Sequence, residues 1–177
     1  MLVGVNEIIF AWRWHPARKW HVLLIAILFF AAVSYGFYQF SKMSDESLMQ
    51  LYIYLVVLTF DGFSQVCGQL LGRHALVKKI SPGKTIEGAL GGLAMAMCTA
   101  FLLYSFFNVT LGYLLLLTGS ICAMALAGDL LASWYKRLNN VKDYSNLIPG
   151  HGGLLDRFDS FIFTGACWWA GNYLGWW

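Results

Sequence analysis

Along most of this chain apolar residues recur at every position of the helical wheel rather than on one face. Five such runs, residues 21 to 40, 48 to 71, 86 to 107, 110 to 132 and 158 to 177, are each 20 residues or longer. A bilayer core of roughly 30 Å takes about 20 apolar residues of helix, and only structures that satisfy their own backbone hydrogen bonds can cross it. No stretch shows the sustained two-residue alternation of a membrane strand. The pattern therefore predicts an all-α, polytopic membrane protein with about five transmembrane helices. Ahead of them, residues 1 to 20 mix Trp12, Trp14 and Trp20 with Arg13, His15, Arg18 and Lys19, a composition suited to an interfacial segment at the headgroup level.

Composition agrees with the pattern. Of 177 residues, 59% are apolar and 12% charged, and the mean hydropathy is +0.60, too little polar surface to coat a water-soluble globule. The same numbers exclude a disordered tail, a nucleic-acid binder and a secreted disulfide scaffold. Cys67, Cys98, Cys122 and Cys167 stand singly inside apolar runs without Cys-x-x-Cys spacing, which reads as small core residues rather than ligands or disulfides. Residues 1 to 177 are expected to form a single integral membrane domain.

Charge sets the expected threading. Eleven of the twelve Lys and Arg residues fall before the first run or in the 72–85 and 133–157 connections, and Lys42 alone lies on the opposite side. The positive-inside tendency makes the basic face cytoplasmic, with the amino terminus inside and the carboxyl terminus outside.

Among the nine carboxylates, Glu7, Asp45 and Glu46 read as plain solvent or headgroup residues. Asp61 interrupts an apolar run and heads a polar stripe with Ser64, Gln65 and Gln69, which suits either helix packing or a substrate path. Asp129 is expected in the last turn of the fourth helix, where the dipole disfavours it, while Asp156 and Asp159 open the fifth. An antiparallel helix pair would bring these three to one depth. Lys136 and Arg157 could be their ion-pair partners. A hard divalent cation such as Mg²⁺, which takes carboxylates plus substrate phosphates, is the favoured alternative for three carboxylates together.

Two connections have anion-binding chemistry. Residues 78 to 88, with Lys78, Lys79, Lys84 and a Ser81-Pro82-Gly83 turn leading into the third helix, offer lysines and free N–H groups. The spacing is not that of a Walker A loop. The 136–157 connection is long and carries Gly150, His151, Gly152 and Gly153 among alternating charges, the kind of loop that carries function and lets backbone N–H groups approach an anion. Ser145, in its middle, reads as a hydroxyl whose partner water could replace.

Taken in order, Ser133-x-x-Lys136-Arg137, Lys142-Asp143-x-Ser145, Ile148-Pro149-Gly150-His151-Gly152-Gly153-Leu154 and Asp156-Arg157-Phe158-Asp159 resemble the signature of the phosphatidate cytidylyltransferases, or CDP-diacylglycerol synthases. The Ser81-Pro82-x-Lys84-Thr85-x-Glu87-Gly88 segment and Gly128-Asp129-Leu130 are similar too, so the likeness covers residues 61 to 165.

That resemblance implies transfer of CMP from CTP to a membrane lipid phosphate, most simply phosphatidic acid, giving CDP-diacylglycerol and pyrophosphate at the cytoplasmic face of a bacterial inner membrane. It implies Asp129, Asp156, Lys136 and His151 as catalytic residues, with Asp129, Asp156 and Asp159 as ligands of Mg²⁺ and, as an option, of a second monovalent or divalent cation. Substrate contacts are implied for Ser81, Lys84, Thr85, Glu87, Arg137, Lys142, Asp143, Gly150, Gly152, Gly153 and Arg157. CTP, the lipid phosphate and the bilayer are the expected partners, with a homodimer as a further option and nucleic acid excluded. Three departures from the family pattern stand out: Ala132 where an acidic residue is usual, Tyr135 for an aliphatic, and Gly-Phe-Ser-Gln after Asp61. Family members commonly carry further amino-terminal spans, and the five-span size is closer to that of the archaeal CDP-archaeol synthases. A different acceptor, such as an isoprenoid-linked phosphate, and a non-catalytic paralogue are the competing expectations.

Overall fold

In a computed structural model, residues 2–13, 20–43, 47–145 and 153–175 are described. Six helices account for most of them: α1 (Leu2–Trp12), α2 (Trp20–Ser41), α3 (Ser47–Leu71), α4 (Ile86–Leu103), α5 (Leu111–Leu138) and α6 (Leu155–Tyr173). Two strands, β1 (Ala75–Val77) and β2 (Ser81–Thr85), pair antiparallel between α3 and α4, and a 3₁₀ turn at Tyr104–Phe106 follows α4. Among the described residues, four segments are long and apolar enough to cross a membrane: Trp20–Ser41, Ser47–Leu71, Ile86–Phe106 and Leu111–Leu138. The 19-residue α6 opens on Asp156, Arg157 and Asp159 and is less apolar. The chain is an all-α integral membrane protein, with one small hairpin among the described residues.

The chain divides into two compact units, Ser44–Ala127 and a second formed by Met1–Met43 with Gly128–Trp177. Within Ser44–Ala127, α4 packs on α3 through small residues. Its buried positions are Gly88, Gly92, Ala96 and Ala100, spaced four apart on one face. A Cβ at Gly88 would lie 2.6 Å from the Ser64 carbonyl oxygen, and one at Gly92 would overlap the Ser64 hydroxyl. Small residues let two helix backbones approach this closely where lipid supplies no hydrophobic drive for association. Nearer the start of α3, the buried Tyr52 hydroxyl meets Thr118 of α5. Thr118 already donates to the Leu114 carbonyl, so Tyr52 is the donor in this pair.

In the other unit, α2 packs along α6, with Gly36 against Ala166 and Gly165 against Phe37 and Phe40. Phe161 adds edge-on contacts to Phe37 and Phe40. The apolar face of α1 (Ile8, Ala11 and Trp12) joins Leu23, Tyr135, Tyr144 and Leu155 in one buried cluster. The amino-terminal segment is thus a packed helix over Leu2–Trp12.

Two expectations change here. Asp129 does not sit in the last turn of its helix, because α5 continues to Leu138 and places Lys136 and Arg137 in that turn instead. Charged residues end a hydropathy run at the interface, but they do not end helical hydrogen bonding. The stop comes at Asn140, whose φ of 56° supplies the left-handed residue that closes a helix, with the Val141 N–H reaching the Lys136 carbonyl at 3.0 Å. Likewise Ser81-Pro82-Gly83 is not a turn; it lies in β2, and the chain reverses over residues 78–80.

Candidate active site

Lys136 and Asp156 form the centre of the candidate site. They face each other from the last turn of α5 and the first turn of α6. The Lys136 ammonium donates to Asp156 Oδ1 at 2.7 Å, with the two side chains only 11% and 7% exposed. The second carboxylate oxygen, Oδ2, accepts the Tyr144 N–H at 2.9 Å and the Gly153 N–H at 2.8 Å. The Lys136 ammonium also lies 5.2 Å from the centre of the Tyr144 ring. A buried ion pair is sustained only when further hydrogen bonds satisfy its remaining lone pairs, and both oxygens of Asp156 are so held. The helix N-terminus adds its positive dipole end beneath the carboxylate.

A second buried carboxylate lies beside it. Glu7 of α1 is 3% exposed, not the solvent or headgroup residue expected from the sequence. Its Oε1 accepts from the Ser145 hydroxyl at 2.6 Å and the Leu154 N–H at 2.8 Å, and its Oε2 accepts the Leu155 N–H at 2.8 Å. Gly153 packs so tightly against it that a Cβ there would lie 2.5 Å from Oε1. Ser145 is therefore no replaceable loop hydroxyl. The signal was unreadable from the sequence because the partners are separated by 138 to 148 positions, far beyond any helical or strand period.

Asp129 and Asp159 belong to the same unit. Ser133 donates to Asp129 Oδ1 at 3.3 Å, and Asp159 Oδ1 accepts the Ser160 N–H at 2.8 Å. Helices α5 and α6 touch at this level, since a Cβ at Gly128 would lie 3.2 Å from the Asp159 carbonyl oxygen. Burial, and then the charges of Asp159 and Asp156, push the Tyr144 phenol above its ordinary range, which places both carboxylates within electrostatic reach of one ring. Among the described residues no three His, Cys, Asp or Glu side chains are grouped as a ready metal site.

An apolar cavity of about 460 Å³ lies alongside, lined by α2, α5 and α6 and bordered by Tyr135, Tyr144 and Asp159. Two of the departures from the family pattern, Ala132 and Tyr135, line it. The Ala132 carbonyl accepts from the Tyr144 hydroxyl at 3.3 Å, and the Tyr135 hydroxyl donates to the Ile8 carbonyl at 3.3 Å.

The remaining expected site residues divide three ways. Arg137, Lys142, Asp143 and Arg157 are exposed around the Lys136–Asp156 pair in sequence, and Gly153 is buried within the site. Gly150, His151 and Gly152 lie outside the described residues. Ser81, Lys84, Thr85 and Glu87 belong to the Ser44–Ala127 unit. There Thr85 is the N-cap of α4, accepting the Gly88 N–H at 3.0 Å. Glu87 accepts the Arg73 and His74 N–H groups at 3.1 and 3.2 Å and contacts the His74 ring at 2.5 Å. Both thus have structural partners at the base of the hairpin.

Comparison with known proteins identifies the family of the chain. A model of the cytidylyltransferase family matches residues 2–173, and the chain belongs to that family. It is 42% identical over 137 residues to a phosphatidate cytidylyltransferase of Staphylococcus haemolyticus, a match covering 76% of this chain and 53% of the relative. Over the same shares it is 40% identical to the phosphatidate cytidylyltransferase of Staphylococcus saprophyticus and 41% to that of Staphylococcus aureus strain COL. The chain spans about half the length of these curated relatives.

Proposed function

We propose that this protein transfers CMP from CTP to a membrane lipid phosphate, phosphatidic acid being the simplest acceptor, to give CDP-diacylglycerol and pyrophosphate. The observation that carries the reading is the buried Lys136–Asp156 pair at the start of α6, in a chain whose family transfers cytidylyl groups.

In the reaction a phosphate oxygen of the lipid attacks the α-phosphorus of CTP. The new P–O bond forms as the bond to the β-phosphate oxygen breaks, and pyrophosphate leaves with that electron pair. A phosphomonoester with a second pKa near 6 is mostly ionised at neutral pH, so no general base is required. What remains is positioning and charge neutralisation. Lys136 supplies a cation held out of water, able to exchange its carboxylate partner for a phosphate oxygen. Arg137, Lys142 and Arg157 add exposed positive charge in the same stretch of chain, and His151 with Gly150 and Gly152 falls in the connection between Lys142 and α6.

The donors of Asp129, Asp156 and Asp159 are all carboxylate oxygens, the chemistry a hard cation takes. These three residues would hold Mg²⁺, which neutralises triphosphate charge when bound. Ser81, Lys84, Thr85 and Glu87, in the Ser44–Ala127 unit, are proposed as substrate contacts in their own right, with the basic connections on the cytoplasmic side of a bacterial inner membrane and a homodimer as a compatible assembly.

The test is a liposome assay with labelled CTP and a panel of phosphatidic, polyprenyl and other lipid phosphates. Pyrophosphate and labelled lipid should appear in equal amounts with phosphatidic acid. Absence of both with every acceptor overturns the reading.

A further inference from the structure

We propose that Glu7 is a positioning residue of the site, a carboxylate on the amino-terminal helix that clamps both ends of the connection between α5 and α6, at Ser145 and at Leu154–Leu155, and thereby holds Asp156 against Lys136. Its hydrogen bonds alternate with those of Asp156 along the same two backbone segments. Tyr144 donates to Asp156 while the adjacent Ser145 donates to Glu7. Gly153 donates to Asp156 while Leu154 and Leu155 donate to Glu7. Ser145 and Gly153 flank residues 146–152, so one side chain ties together the two edges of that connection.

A carboxylate this buried is costly unless its lone pairs are satisfied, and α1 does not need one to dock. Ile8, Ala11 and Trp12 already bury its apolar face. The local fit is reciprocal: Gly153 leaves no room for any side chain beside Oε1, and the first N–H groups of α6 would lose their acceptor without Glu7. Loss of the clamp takes one acceptor from the Ser145 hydroxyl and the carboxylate acceptor from the Leu154 and Leu155 N–H groups. The residues next to them, Tyr144 and Gly153, are the backbone donors to Asp156 Oδ2.

The catalytic part of this inference rests on the cytidylyl-transfer reading, so the test has two arms. In the first, Glu7→Gln and Ser145→Ala are assayed with CTP and phosphatidic acid. Because misplacement by about 1 Å can cost on the order of 10²-fold in rate, Glu7→Gln should lower kcat roughly 10- to 100-fold while KM for CTP stays within about threefold. Ser145→Ala, which removes one of three bonds, should fall between Glu7→Gln and wild type. In the second arm, hydrogen exchange of the unliganded variants should quicken at Tyr144, Leu154 and Leu155 and stay at wild-type rates in α2. A kcat within about twofold of wild type in Glu7→Gln, or exchange that quickens evenly across the protein, overturns the proposal. Should Glu7→Gln fail to fold, Ser145→Ala decides by the same two readouts. Wild-type protein inactive with every lipid phosphate refutes the functional reading instead, and the exchange arm then decides the clamp alone.

Discussion

Substituting Lys136 and Asp156 singly and together measures how the site is held. Lys136→Met removes the ammonium 2.7 Å from Asp156 Oδ1 and leaves a carboxylate of 7% exposure with only the Tyr144 and Gly153 N–H groups on Oδ2. Breaking a buried pair by removing one partner costs about 3–5 kcal/mol, and the two surviving donors put this variant near the lower end, about 3 kcal/mol. Asp156→Asn is the harsher change. It removes the charge facing the ammonium and leaves one acceptor oxygen to serve either Lys136 or the two backbone donors, so about 4–5 kcal/mol is expected. In the double variant no charge is left unpaired, and its loss should fall short of the sum of the singles by about 2 kcal/mol. For a chain of this size about 1 kcal/mol corresponds to roughly 2–4 °C in Tm, so Lys136→Met should melt roughly 6–12 °C below wild type. Intrinsic fluorescence of the eight tryptophans during heating in detergent reads all four proteins. Additive losses, with a coupling under about 0.5 kcal/mol, would show that the two charges do not depend on each other and would refute the ion pair as the centre of the site.

Three further outcomes can be checked directly. Purified Asp156→Asn should lose on the order of 10²-fold or more in cytidylyl transfer, and excess chelator should silence the wild type; normal turnover in either case removes the Mg²⁺ reading. Thr85→Ala should destabilise the protein by about 1 kcal/mol through loss of the α4 N-cap, seen as a small drop in Tm, whereas an unchanged Tm would argue that Thr85 is not needed as a cap. Cysteines placed at Lys79 and Asn140 should label from one side of sealed vesicles and a cysteine at Gly175 from the other; labelling of Asn140 and Gly175 from the same side contradicts the five-span threading.

Local physics explains which parts of this molecule could be read in advance. Hydropathy located α2, α3 and α4 to within a few residues because in each the apolar run and the helix nearly coincide. It ended α5 six residues early, at position 132 instead of Leu138, because Lys136 and Arg137 lower the hydropathy of the last turns without interrupting helical hydrogen bonding. Asp156 in the first turn of α6 was legible, and so was Lys136 as an ion-pair candidate, since both follow from helix ends and charge. Glu7 was not. Its partners lie on the far end of the chain, and a single acidic residue in an apolar, Trp-bearing segment has the same sequence signature whether it faces headgroups or a helix terminus. The hairpin was hidden for a related reason: Ala75–Val77 is too short to show a period, and Ser81-Pro82-Gly83 has turn composition while lying in a strand.

The ladder of Gly88, Gly92, Ala96 and Ala100 makes α4 a helix with two unequal mutational fates. On the seam with α3 even a methyl group at Gly88 meets main chain rather than a side chain that could swing aside, so nearly every codon change there is visible to selection. Around the rest of the cylinder, Leu90, Phe101 and Leu102 stand open to the surroundings, where one apolar residue serves as well as another. Drift among sequences of this kind should therefore accumulate on the lipid-facing side of α4 and leave the four small positions almost untouched. A library randomised across the helix and sorted for folded protein would return a barcode with a four-residue repeat.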